Sequence, residues 1–211
     1  GTGYIGSHTS VELIKEGYEV IIIDNLYNSE SEVIDRIHKI TGVKPVLEVF
    51  DLCDQKKLDR FFRKNADIAA IIHFAAYKAV GESVNKPLDY YKNNLVSVVN
   101  LLDAMKRYGV PGLVFSSSCT VYGQPEKLPV TEDTPMQPAT SPYGNTKQVG
   151  EAIIRDTTVS DKNIKAISLR YFNPIGAHPS SRIGELPRGV PENLVPFITQ
   201  TAYGLRDELK I

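Results

Sequence analysis

Three side chains in the middle of the chain have the types and the spacing that proton transfer needs. Tyr143 and Lys147 form a Y-x-x-x-K pair, and Ser118 closes a run of three serines 25 residues before the tyrosine. Residues four apart lie on one face of a helix, and Ser141-Pro142 marks a helix start directly before the pair. A lysine ammonium beside a tyrosine favours the phenolate, so Tyr143 is a candidate general base.

The pair alone has a plain alternative interpretation. Y-x-x-x-K arises often by chance and can be a solvated surface pair, and the polar run from Ser116 to Thr120 can be turn chemistry. The position of Ser118 at the end of a predicted strand favours the catalytic interpretation, because open parallel sheets bind ligands at that edge.

A glycine-rich turn opens the chain. Gly1, Gly3 and Gly6 match G-x-G-x-x-G, and Asp24 ends the next predicted strand. Such a turn lets a pyrophosphate approach the backbone at a helix N-terminus, and an acid at that place can accept hydrogen bonds from the adenosine ribose. The carboxylate would repel a 2′-phosphate, so the pattern favours NAD over NADP. The alternative for Asp24 is a turn residue before Asn25.

The elements predicted to position these residues alternate between helix and strand along the chain. The hydrophobic pattern predicts helices at residues 6–16, 29–40, 54–64, 87–108, from about 142, and 192–203. It predicts strands at residues 19–24, 45–51, 68–74, 113–118 and 164–172. This alternation indicates an α/β fold with a doubly wound parallel sheet of the Rossmann type. A G-x-G-x-x-G turn normally follows a strand, so we expect a further strand before Gly1 in the natural protein.

The composition argues against several kinds of partner and binding site. The 211 residues carry a formal net charge of −1, with no basic run, so we expect neither nucleic acid nor an anionic membrane as a partner. The four histidines are scattered, and we expect no metal site. Cys53 and Cys119 stand in unrelated contexts, which suits a reducing, cytoplasmic compartment. We interpret Cys119, beside Ser118, as a small buried residue.

Longer strings carry a family resemblance. GYIGSHT, DNLYNS, HFAAYKAVGES, SSSCTVYG, SPYGNTK, RYFNPIGAHPS and GVPENLVPFI are spread over the whole chain. They resemble the extended short-chain dehydrogenases, and within them the UDP-galactose 4-epimerase family. Ala76-Tyr77 and Cys119 depart from the residues common there. The resemblance implies an NAD-binding domain over residues 1–172 and the start of a smaller sugar-nucleotide domain over 173–211, with more chain to follow.

The resemblance also implies site residues. The catalytic set is Ser118, Tyr143 and Lys147. The implied NAD contacts are Gly3, Tyr4, Ile5, Gly6, Asp24, Asn25, Asn28, Ser29, Asp51, Leu52, Phe74, Ala75, Ala76, Lys78, Asn93, Ser118, Tyr143, Lys147 and Phe172. The implied substrate contacts are Lys78, Ser118, Tyr143, Asn173, Asn193 and Leu194. Plain alternatives are a helix-turn cap for Asn93, a surface charge for Lys78, core for Phe172 and a turn for Asn173.

The implied reaction is epimerisation at C4 of a UDP-hexose through a 4-keto sugar, with bound NAD regenerated in each cycle. Three alternatives stay open: an epimerase for N-acetylated sugars, a nucleotide-sugar dehydratase, and a non-catalytic NAD-binding sensor. The resemblance also implies a homodimer built on the helix at 87–108 and the Tyr143 helix. Tyr90, Leu101 and Tyr108 lie off the main apolar stripe of the first of these and predict a second apolar face.

Overall fold

The computed structural model describes residues 1–187, 189–191 and 193–209. The helices are α1 (Tyr4–Lys15), α2 (Val33–Thr41), α3 (Gln55–Lys64), α4 (Val80–Asn85), α5 (Pro87–Tyr108), α6 (Pro142–Ser160) and α7 (Leu194–Ala202). The strands are β1 (Ile21–Asp24), β2 (Val46–Val49), β3 (Ala70–His73), β4 (Gly112–Ser118) and β5 (Lys165–Tyr171). A single 3-10 turn, Cys119–Tyr122, follows β4.

Helix ends follow the local sequence. Proline supplies the first residue of both α5 and α6, where its fixed φ suits a helix start. Ser141 caps α6 by accepting a hydrogen bond from the Gly144 amide at 3.1 Å. Gly109 follows α5 with a φ of 71°, a left-handed conformation that ends the helix at little cost only for glycine.

The chain forms two compact units. The first comprises Gly1–Val49 and Asn173–Ile211, and the second comprises Phe50–Phe172. In the first unit β1 and β2 pair in parallel, with Ile21 opposite Val46. A core of aliphatic side chains packs beneath them, and its buried members are Val11, Ile14, Ile22, Ile34, Ile37 and Ile183.

In the second unit three parallel strands follow the order β3-β4-β5. His73 pairs with Phe115, and Ser118 pairs with Tyr171, so the carboxyl ends of the strands lie along one edge. Helices alternate with the strands along the chain, which confirms the predicted α/β class with parallel sheets. The two domain ranges expected above stay a prediction.

Several local expectations need correction. The helix predicted from residue 29 begins at Val33, because the Ser29 hydroxyl is engaged with the Asp24 carboxylate at 3.1 Å. Helix α4 was not expected. Cys119 begins the 3-10 turn rather than continuing a strand, and it is partly exposed, not buried. The predicted helix at 192–203 is observed as Leu194–Ala202, and Glu192 lies outside the described residues.

The residues that predicted a second apolar face on α5 are used inside this chain and do not form an exposed surface. Tyr90 and Leu101 are 1% and 3% exposed and belong to the core of this chain. Tyr108 stacks on Phe62 and donates its hydroxyl to Asp59 at 2.7 Å. Within the described part of α5, the exposed large apolar side chains are instead Leu88, Val96 and Val99.

Over the residues described, the structure has no helix that combines the length and the apolar character required to span a bilayer.

Candidate active site

The polar end of β4 and the start of α6 bring the three predicted catalytic side chains together in the second unit. Ser118 is the last residue of β4, Tyr143 lies in the first turn of α6, and Lys147 lies one turn later. Ser118 and Lys147 are only 8% and 4% exposed. Ionisable groups in such a place have perturbed pKa values, which is typical of functional sites.

Tyr143 is largely buried and has Ser118 as its neighbour. Burial raises the pKa of Tyr143, and its hydrogen bond with Ser118 acts in the opposite direction. The net direction is upward, because removing a phenolate from water costs more than this one hydrogen bond returns. The Lys147 ammonium was expected to favour the phenolate, yet the pKa of Tyr143 lies above its usual value.

The ammonium of Lys147 is held by the backbone of β4. Its Nζ donates to the Ser116 carbonyl at 2.7 Å and lies 5.0 Å from the centre of the Phe115 ring and 5.8 Å from that of Tyr143. Burial lowers the pKa of Lys147 to about 8, although the charge of Glu151 acts to raise it. The lysine is thus fixed beside the phenol, with a proton that it can lose near neutral pH.

The hydroxyl of Ser118 is oriented by its own turn. Its Oγ accepts hydrogen bonds from the Thr120 amide at 3.2 Å and from the Thr120 hydroxyl at 3.0 Å. Because these contacts use the oxygen as an acceptor, the Ser118 proton can be donated to another oxygen.

A partly buried ion pair beside this cluster was not predicted. Arg170, on β5, donates through Nη2 to Glu151 Oε2 at 2.7 Å and through Nε to Glu151 Oε1 at 3.0 Å. Ser117 also donates to Glu151, and the Tyr122 hydroxyl accepts from Arg170 Nη1 at 3.0 Å. An arginine inside a predicted strand, together with a glutamate four residues after Lys147, was the sequence signal for this pair.

Asn94 was also missed. Its side chain bonds both backbone groups of Tyr77, accepting at 2.8 Å and donating at 3.0 Å, and it donates to Thr146 Oγ1 at 3.1 Å. Thr146 in turn donates to the Tyr143 carbonyl at 2.7 Å. This buried amide therefore ties the loop that carries Phe74, Ala75, Ala76 and Lys78 to the start of α6.

The other predicted cofactor residues of the second unit have varied surroundings. Asp51 accepts from the Cys53 amide at 2.7 Å, and the Leu52 carbonyl accepts from Asn100 at 3.0 Å. Asn93 donates to Asn94 at 2.9 Å. Phe172 is 61% exposed, so the alternative that it is simple core is wrong.

The glycine turn of the first unit fits a dinucleotide phosphate. A Cβ on Gly6 would collide with the backbone of Gly1, so this glycine is required by the turn itself. A Cβ on Gly3 would meet no atom within 4 Å, so the protein's own packing does not require that glycine. Close approach of a ligand is the remaining reason for it, and α1 begins at the next residue with its free amide groups.

Asp24 ends β1 beside the turn. Its Oδ2 accepts from the Thr2 amide at 2.9 Å, and its Oδ1 accepts from the Leu26 amide at 2.8 Å. Burial acts to raise the pKa of Asp24, and hydrogen bonds from the backbone amides of Thr2 and Leu26 act to lower it. These hydrogen bonds fix the carboxylate beside the turn.

The remaining predicted residues of the first unit lie at its surface or in its loops. Tyr4 donates its hydroxyl to the Gly176 carbonyl at 2.8 Å, and Ile5 lies next to it in α1. Asn25 accepts from the Tyr27 amide at 3.0 Å, and Asn28 is exposed. Asn193 donates to Glu185 at 2.6 Å, whereas Asn173 and Leu194 are exposed.

Comparison with known proteins identifies relatives of the whole chain. The model of the NAD dependent epimerase/dehydratase family matches residues 1–204. UDP-glucose 4-epimerase of Bacillus subtilis (strain 168) is 52% identical over 211 residues, which is 100% of this chain and 62% of that protein. The chain thus spans about three fifths of the length of the curated relatives it matches.

Solved structures agree in fold. UDP-glucose 4-epimerase from Bifidobacterium longum, in complex with NAD⁺ and UDP, superposes with a TM-score of 0.95 at 46% identity, over 99% of this chain and 62% of that one. The enzyme from Stenotrophomonas maltophila, with bound NAD and formylated UDP-arabinopyranose, gives the same TM-score, identity and coverage. The predicted Rossmann-type fold is thereby confirmed.

Proposed function

The chain belongs to the NAD dependent epimerase/dehydratase family, and on that premise we propose that the protein is an NAD-dependent UDP-hexose 4-epimerase. It would interconvert UDP-glucose and UDP-galactose in galactose metabolism, as the names of its relatives suggest. The observation that carries the proposal is the cluster of Ser118, Tyr143 and Lys147, in which a half-buried phenol has the serine as its neighbour and lies beside an ammonium.

NAD is the proposed cofactor, and when bound it supplies an acceptor for the hydride of C4 and returns that hydride later. In the first unit the glycine turn, Asp24, Asn25, Asn28 and Ser29 would hold its adenosine and phosphate portions. In the second unit the proposed contacts are Asp51, Leu52, Phe74, Ala75, Ala76, Lys78, Asn93, Lys147 and Phe172.

Tyr143 would accept the proton of the sugar 4-hydroxyl and return it at the end of the cycle. Burial keeps its pKa high, so the phenolate needs nearby positive charge. The Lys147 ammonium, 5.8 Å from the centre of the ring, and bound NAD⁺ would supply that charge together. Ser118 would donate its hydroxyl proton to the C4 oxygen when substrate is bound, since Thr120 already occupies its acceptor side. Lys78, Asn173, Asn193 and Leu194 are the further proposed contacts of the UDP-sugar.

The test uses Tyr143→Phe in the full-length protein with a coupled assay for UDP-glucose formation. We expect kcat to fall at least about 100-fold, because loss of a general base typically costs that much. The matched control is Tyr18→Phe, at a tyrosine that is 64% exposed, and we expect its turnover to be unchanged. Near-normal epimerisation by the Tyr143 variant would refute the proposed base.

A second assay separates the substrate classes. Wild-type protein is given UDP-galactose, and separately its N-acetylated counterpart, and the appearance of the other epimer of each pair is measured. Turnover of the acetylated pair alone would replace the proposed substrate, and no turnover of either pair would favour the NAD-binding sensor.

We also propose that the protein is a cytoplasmic homodimer. The location rests on two free cysteines in unrelated contexts. The association rests on the family resemblance and on the exposed apolar side chains of α5.

A further inference from the structure

The ion pair of Glu151 and Arg170 is partly buried and has no role in the proposed reaction so far. Glu151 is 9% exposed, and a carboxylate in that place is costly unless it is paired and hydrogen-bonded. Burial raises the pKa of Glu151, but the hydrogen bond and charge of Arg170 outweigh it, so its pKa lies below the usual value. Both members are therefore charged.

The pair holds the strand end that carries Ser118. We call residues 116–122 the serine segment. Glu151 accepts a hydrogen bond from Ser117, and Arg170 donates one to Tyr122. The pair therefore contacts the serine segment both before and after Ser118. Gln148 of α6 adds a third contact by donating to the Val121 carbonyl at 2.8 Å.

The same helix carries the proposed base. Lys147 and Glu151 are four residues apart on α6 and therefore share a face, and Lys147 holds the Ser116 carbonyl of the same segment. The distance between Ser118 and Tyr143 thus depends on how α6 and β5 fix the serine segment.

We infer that Glu151, together with Arg170, is a positioning residue for the proposed reaction: through Ser117 and Tyr122 it holds Ser118 in place against Tyr143. This inference rests on the proposed function for its kinetic consequence. The charge of Glu151 raises the pKa of Lys147, so loss of that charge leaves burial to lower the lysine pKa further.

The groups around Lys147 that can titrate are few. Tyr143 and Glu151 face it from α6, Arg170 lies behind Glu151 on β5, and His73 faces it from β3. Burial, and then the charge of Lys147, lowers the pKa of His73 to about 3, so this imidazole stays neutral across the assay range. A change in the alkaline range on removal of Glu151 therefore reports on Lys147 and Tyr143.

The experiment compares Glu151→Gln with wild type in the full-length protein loaded with NAD. We expect kcat to fall about tenfold or more with a small change in KM, and the alkaline limb of the pH profile to move to lower pH. Asp156→Asn is the matched control, because this carboxylate is also on α6 but is 76% exposed, and it should leave both quantities unchanged. An unchanged kcat and an unchanged alkaline limb in the Gln variant would overturn the inference.

A readout that needs no turnover separates this inference from the proposed function. The side chain of Lys147 is titrated by NMR in wild type, Glu151→Gln and Glu151→Asp. We expect the midpoint to be lower in the Gln variant and restored toward wild type in the Asp variant, whether or not UDP-hexoses are substrates. Equal midpoints in wild type and the Gln variant would overturn the inference even if the protein is an epimerase.

Should the Gln variant fail to fold, Ser117→Ala and Tyr122→Phe test the same contacts with both charges retained. We expect each to lower kcat several-fold without moving the pH profile. Wild-type kcat in both variants would show that the pair does not position Ser118.

Discussion

At the scale of single residues, Lys147 combines a proposed catalytic role with a cost to folding stability. Its ammonium is buried, and its pKa is lowered to about 8 from a usual value near 10.5. The unfolded chain therefore binds the proton more tightly than the folded one, and this difference costs about 3 kcal/mol of stability at neutral pH. The penalty disappears as pH rises from about 8 through the usual pKa of lysine.

The corresponding prediction concerns Lys147→Met in the full-length protein. At pH 7 we expect the variant to be more stable by about 1–2 kcal/mol, since the desolvation penalty is removed while the Ser116 carbonyl loses its donor. Turnover should fall at least tenfold. Urea unfolding at pH 7 and pH 10 measures the effect: wild type should gain stability relative to the variant as pH rises, and a constant difference would contradict this account.

Residue types and their spacing predicted part of the candidate site and missed the rest. Tyr143, Lys147 and Ser118 could be chosen from type and spacing because a helix turn and a strand end are local features. The rise in the pKa of Tyr143 could not be predicted from the sequence, because it depends on burial by elements that are distant along the chain. The Glu151–Arg170 pair was missed for the same reason, as it requires knowing that β5 lies beside β4 and α6.

At the scale of elements, a small residue controls the approach of α6 to β4. A Cβ on Gly150 would lie 3.0 Å from the Phe115 ring, which is itself 2% exposed and has little room to move. Alanine would gain about 1 kcal/mol of helix propensity but would overpack this contact, which typically costs 1–3 kcal/mol.

We predict that Gly150→Ala destabilises the protein by about 1 kcal/mol and lowers kcat, because it shifts Lys147 and Tyr143 relative to Ser118. Gly81→Ala, in α4, is the matched control: a Cβ there meets no atom within 4 Å, so we expect a small gain in stability. Thermal unfolding measures the stability of both variants, and the coupled assay measures their kcat. A more stable Gly150 variant with full activity would show that α6 can move without consequence.

Elements with clear end signals were predicted well. The predicted helix at 87–108 agrees with α5 because Pro87 and Gly109 mark both ends. Helix α4 was missed because six residues that include Gly81 give too short a pattern for a helical period. The start of α2 was placed too early because the sequence does not show that Ser29 bonds Asp24.

At the scale of the whole molecule, the exposed apolar side chains of α5 make association testable. Val96 and Val99 are 38% and 48% exposed and lie three residues apart on one helical face. Neither belongs to the set first predicted for the interface, since Tyr90 and Leu101 are used by the core.

We predict that Val99→Asp weakens the proposed dimer at least tenfold, because it replaces buried apolar area by a charge that lacks a partner. Light scattering coupled to size exclusion, over a dilution series of the full-length protein, measures the change. Val43→Asp is the control, at a valine of the first unit that is 54% exposed. Equal dissociation of the two variants on dilution would show that the dimer contact does not include Val99.

Three side chains of the candidate site lie on one helix, which limits where this sequence can gain or lose residues. Tyr143, Lys147 and Glu151 follow one another at four-residue intervals on α6, so their common direction is fixed by counting along the chain. One inserted residue after Lys147 would rotate Glu151 by about 100° around the helix axis, away from Arg170. Natural length variation is therefore expected in the loops that flank α6, and between Tyr143 and Glu151 an insertion or deletion would separate the base from its support.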